Sequence, residues 1–115
     1  MDKFNIYSAK RNGNEIINEM YAGSAIYLDE GYYKMRLSIF PNITYFMRRN
    51  QNAKRFTIFS RIKVKGKEVK FFDPVGHGLI DENLKAHMFL RFEVLKANLY
   101  MSLFPEGMCA WEIKK

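Results

Sequence analysis

A single cysteine, Cys109, is all the thiol chemistry this chain has, so no disulfide can form within it. That suits a reducing compartment and predicts a fold held by packing rather than by cross-links. No apolar run approaches the roughly 20 residues that a membrane-crossing helix needs. The start MDKFNIYSAK carries charges with no apolar stretch behind them, unlike a secretory signal. These absences predict a soluble, cytoplasmic protein with no membrane partner. Acid is also scarce where base is plentiful: residues 32 to 70 hold eleven Lys or Arg and one acid, Glu68, whereas the remainder holds eight cations and eleven acids.

What is present fits one globular domain over residues 1–115. A 48% hydrophobic, 16% aromatic chain of this length can bury a core without metal or disulfides. The formal charge of +7 favours an anionic partner, and its concentration in the middle of the chain favours a localised contact surface.

Short alternating segments separated by turn residues dominate the sequence. FNIYSA at 4–9 ends at the turn signal Asn12-Gly13, and EIINEMYAG is ambiguous between helix and strand. SAIYL, the turn Asp29-Glu30-Gly31 and YYKMRLSIF form a predicted hairpin, in which Tyr33, Met35, Leu37 and Ile39 share a face. ITYFMRR at 43–49, RFTIFSRIKVK at 55–65 and EVKFF at 68–72 are further predicted strands. DPVGHG at 73–78 reads as a loop, because Pro74 and two glycines punctuate it. Asp81 can cap a short helix over about 81–88, after which Phe, Val and Tyr favour strands, and MCAWEIKK supplies a last strand. The expected fold is all-β, or β-rich α+β, with at most one or two short helices. Its centre is a curved antiparallel sheet or a small barrel.

Two strands carry the same unusual outer row. Tyr32, Lys34, Arg36, Ser38 and Phe40 form one; Arg55, Thr57, Phe59, Arg61 and Lys63 form the other. Both interleave cations with aromatic rings opposite an apolar face. Single-stranded nucleic acid requires that mixture: cations for phosphates, and flat rings on which bases stack for about 1–3 kcal/mol each. The loop between the strands adds Arg48, Arg49 and Lys54, with Asn and Gln able to bond phosphates or base edges. Lys34, Arg36, Arg48, Arg49, Lys54, Arg55, Arg61 and Lys63 are therefore expected to hold phosphates, and Tyr32, Phe40 and Phe59 to stack on bases. The competing explanation puts Phe40 and Phe59 in a second core and makes the cations edge protection against aggregation.

Catalysis and cofactors find little support. His77, His87 and Cys109 have no metal-ligand spacing, and Asp73 with His77 lacks a nucleophile or second carboxylate. Gly76 and Gly78 lack the GK[ST] ending of a phosphate loop. The seven methionines are read as core fillers, and Cys109 and Trp111 as inward residues of the last strand. The expectation is a non-enzyme with no cofactor and no metal.

GSAIYLDEGYYKMRL and LKANLYMSLFPEGMCAWEI, an opening hairpin and a closing strand pair with an aromatic near the end, resemble small uncharacterised β-rich proteins encoded on conjugative plasmids and related mobile elements. The resemblance implies a mobile-element context and transfers no catalytic residue; the basic middle of this chain departs from it. Two functions follow as expectations. The first is non-catalytic binding of single-stranded nucleic acid. The second is a phage- or plasmid-encoded module whose basic face docks on an acidic host protein. An exposed edge at 68–72 or at the C-terminal strand leaves room for a homodimer.

Overall fold

The computed structural model describes residues 2–51, 54–84, 86–95 and 98–105. Eight strands follow one another: β1 (Lys3–Asn12), β2 (Glu15–Tyr27), β3 (Tyr33–Leu37), β4 (Tyr45–Arg49), β5 (Arg55–Lys65), β6 (Glu68–Leu79), β7 (His87–Phe92) and β8 (Leu99–Ser102). Each pairs antiparallel with the next, and β1 pairs with β8, so the sheet closes into an all-β barrel.

Alternation along the strands fills the barrel. Ile6, Met35, Leu37, Met47, Ile58, Met88, Leu90, Phe92 and Met101 point inward and are at most 1% exposed. Burying each such side chain contributes about 1.5–3 kcal/mol, and an eight-stranded barrel is just wide enough for side chains to fill it. Where strands approach closely the interior admits no extra atom. A Cβ on Gly76 would lie 2.1 Å from the Arg91 carbonyl oxygen, on the strand beside it.

The two longest hairpins outrun the wall. β5 meets β4 over Phe56–Phe59, yet its pairing with β6 continues to Lys65 opposite Glu68, across a turn at Gly66 (φ 62°). β1 meets β8 over Ile6–Ser8 but pairs with β2 as far as Asn12. Each arm has a bulge at its base and a residue in the left-handed region, Asp73 (φ 59°) or Asn18 (φ 57°), side chains that tolerate it. The arms cover outward apolar residues. Ile16 of the first packs with Tyr100 and Leu84, beside Ala9 and Phe89, and Arg11 donates to Asp81 at 2.7 Å. Phe71 of the second lies edge-on to Tyr32 and against Phe59.

Several local expectations are corrected. DPVGHG is strand: β6 runs through it because Pro74, paired with Phe59, lies beside the bulge at Val75 and beyond the pairing with β7, which begins at Gly76. The expected helix at 81–88 does not form among the described residues; a short turn in which Asp81 bonds the Asn83 amide leads directly into β7. EIINEMYAG and SAIY belong to one 13-residue strand, and Leu28 follows its end. Ile39, grouped by alternation with the core, is 66% exposed, since β3 ends at Leu37 and the chain turns. Met35, Met47, Met88 and Met101 do fill the core, whereas Met20 is exposed. The last strand expected over 108–115, with Cys109 and Trp111, lies outside the described residues, as do Met1 and Met108.

Gly76→Ala should destabilise the barrel by about 1–3 kcal/mol, as overpacking against fixed backbone does, in urea unfolding. A second test concerns His87, which lies beneath the first arm beside Glu15 and Glu19. Burial lowers its pKa below the ordinary 6.5, and the Glu19 charge offsets part of that. The unfolded chain therefore takes up this proton before the folded one does. Stability should be full above about pH 6.5 and decline as pH falls from there towards the lower folded-state pKa. His87→Gln should flatten that decline in thermal melts between about pH 7.5 and 5.5.

Candidate nucleic-acid interface

Strand register gathers the cations that sequence order leaves scattered. Arg48 stands opposite Thr57, Thr57 opposite His77, and His77 opposite Arg91, so one outward row crosses β4, β5, β6 and β7. All four alternate with inward neighbours. Lys34 and Arg36 extend this face on β3, and Arg55 extends it on β5. Arg61, Lys63 and Lys65 continue it along the second arm, with Lys70 opposite Lys63. Among the described strand residues of β3 to β7, the outward acids on this face are Glu68 and Asp73, and Asp73 lies 3.3 Å from Arg61.

The rings expected to stack on bases are differently placed. Tyr32 and Phe59 are 6% and 8% exposed. Both point away from the barrel interior, as alternation requires for Phe59, but the second arm lays Phe71 over them, with ring centroids 5.5 and 5.1 Å away. Arg48 closes the cluster, its guanidinium 4.8 Å from the Phe71 centroid and 5.7 Å from Phe59. The stacking role expected of Tyr32 and Phe59 is thus corrected: they form a second apolar cluster that anchors the arm. Phe40 is half-buried in the turn after β3, outside the row to which it was assigned. Phe72 takes the open position instead. It is half-buried, lines an open depression of about 270 Å³ with Lys63, Lys65, Lys70 and the single acid Glu68, and has the Arg61 guanidinium 5.0 Å from its centroid.

Two cations also leave the expected set. Arg49 follows Arg48 along the strand and so faces the other way, towards one end of the barrel, where it stands over Phe56 at 5.1 Å. Lys54 is engaged with Glu82 of the loop before β7. Arg91 enters in their place, with the His77 ring opposite it in the row. Arg91 falls outside the basic span of the sequence, and its visible signal is its position between Leu90 and Phe92, two residues that face the core.

Chemically, the face offers cations with their hydrogen-bonding edges available. A guanidinium stacked on a ring keeps its peripheral N–H groups for phosphate oxygens, and stacking fixes its orientation; Arg48 is held in that way, and Arg61 likewise with its Nε paired to Asp73. Lys34 and Arg36 border an open depression of about 290 Å³ with Ser24 and Thr44, and Arg36 donates to the Thr44 hydroxyl at 3.4 Å. Thr57 donates to the Asn50 side chain at 2.9 Å, tying the row to the loop beyond β4. Asp73 and His77, considered as a catalytic pair, are separated in role: the carboxylate serves Arg61 and His77 lies in the row. No cluster of three metal-ligating side chains occurs among the described residues. Compared with family models, curated proteins and solved structures, the chain matches none.

Proposed function

We propose that the protein binds single-stranded nucleic acid without catalysing its conversion, through the outward face of β3 to β7 and the second arm. The observation that carries this reading is the in-register row Arg48, Thr57, His77, Arg91, with further cations at Lys34 and Arg36 on β3, Arg55 on β5 and the lysines around Phe72 on the second arm. A cationic surface of this kind takes phosphates irrespective of sequence. Its shape favours a flexible strand. Neighbouring strands of an eight-stranded barrel differ by about 45° in outward direction, so a stiff duplex meets a few of them while a single strand follows the curve. Phe72, among lysines, supplies the sequence-tolerant stacking contact that a duplex cannot use.

Fluorescence anisotropy with labelled single-stranded and duplex oligonucleotides tests this. Six neutralised phosphates predict a log-log salt slope of about −4 on a single strand, and Arg91→Ala should make it shallower by about 0.7. Phe72→Ala should weaken binding roughly tenfold with little change in stability, whereas Phe59→Ala should cost about 3 kcal/mol of folding. Failure to bind any oligonucleotide at low salt contradicts the reading, and the basic face then belongs to an acidic protein surface. Equal single-strand affinity of Phe72→Ala and wild type removes the stacking contact.

A further inference from the structure

The end of the barrel at which β1 begins has a chemistry unlike the basic face. The end-most inward residue on each of five consecutive strands is aromatic or cationic: Phe4 on β1, Tyr27 on β2, Tyr33 on β3, Arg49 on β4 and Phe56 on β5. Beneath them the interior is closed by Ile6, Met35, Met47 and Ile58, so they floor and wall a cup rather than a channel. That cup measures about 280 Å³ and reaches Asp2 and Gly31 at its rim.

Its rings are arranged edge to face. Tyr33 stands at 4.8 Å and 64° from Tyr27, at 5.7 Å and 72° from Phe4, and at 6.2 Å and 71° from Phe56. The pairs hold Tyr33 in place and leave Tyr27, 45% exposed, as the open ring of the wall. Arg49 lies over Phe56, exposed, and forms no ion pair among the described residues. Burial raises the Tyr33 phenol above its ordinary 10.0; Tyr27 adds to this and Arg49 opposes it, which leaves the hydroxyl a neutral donor.

We infer that this cup is a binding site for a small, flat aromatic carboxylate, its ring against Tyr27 and Tyr33 above the buried Phe56, and its carboxylate on the Arg49 guanidinium. An Arg–carboxylate pair supplies two parallel charge-assisted hydrogen bonds, the rings supply apolar area, and the cup's volume sets the size of the ligand. Asp2 at the rim repels a second negative charge, so the site favours monoanions. The site points away from the outward row that carries the proposed phosphate contacts, and it stands whether or not that surface binds nucleic acid.

Benzoate is the probe, titrated into the full chain and followed by NMR on the ring protons of Tyr27, Tyr33 and Phe56, with benzamide and cyclohexanecarboxylate as controls. Benzoate should saturate with a dissociation constant on the order of 1 mM or below, and each control should bind about tenfold more weakly. Arg49→Met should abolish the preference for benzoate over benzamide, and Asp2→Asn should tighten benzoate severalfold. Tyr33→Phe keeps the ring packing and removes the phenol donor, so it should weaken benzoate severalfold. No saturable shift, shifts at residues outside the cup, or equal binding of benzoate and benzamide would each overturn the assignment.

Discussion

Closure of the barrel by the pairing of β1 with β8 is the constraint on which the other features depend. Three paired positions, Ile6 with Met101, Tyr7 with Tyr100 and Ser8 with Leu99, join the two ends of the sheet. Once closed, the wall fixes the side on which every residue falls. The inward set becomes an apolar core, chiefly of Met, Leu, Ile and Phe, and the cations on the wall strands fall on the outside or at an end. The outward basic face and the aromatic cup both follow from this sorting. Arg48 and Arg49, adjacent in sequence, end on different surfaces for the same reason.

The arms add a second layer of specificity. A hairpin longer than the wall leaves apolar positions without a core, and bending it at a bulge lets Ile16 or Phe71 find one on the outside. On the second arm this packing also disposes the charge. Phe71 covers Phe59 and Tyr32, Arg48 seals the cluster, and the lysines of the arm line the depression beside Phe72. Apolar anchoring and charge placement are therefore one arrangement, and loss of Phe59 disturbs both.

Much of the fold was legible. RFTIFSRIKVK is strand from its first residue to its last, and alternation alone places Phe56 and Ile58 inward; Ser60, Ile62 and Val64 of the same alternating set lie beyond the wall on the arm, with Val64 57% exposed. A small antiparallel barrel was among the expected architectures. The misread segments have identifiable causes. Pro74 and two glycines signal a loop by propensity, but the proline lies beside a bulge and beyond the pairing with β7, and close approach of β7 accounts for Gly76. Asp81 signals a helix cap, yet its carboxylate serves a turn and an ion pair with Arg11 from the far end of β1. The site was legible as charge and not as geometry. Alternation correctly turns Phe59 outward but carries no information about Phe71, which follows it by twelve residues in sequence and covers it through tertiary packing. Register, which places Arg91 in line with Arg48, is a property of paired strands that one strand's sequence does not contain.

The central claim is that the outward row across β4 to β7 is a nucleic-acid surface. Amide chemical-shift mapping with a short single-stranded oligonucleotide on isotope-labelled protein tests it most directly. The account predicts shifts concentrated at Arg48, Thr57, His77 and Arg91 and along the arm to Lys63 and Lys70, with Met20 and Tyr21 unmoved. Shifts centred on the first arm or on the cup, or none at all at low salt, would contradict it.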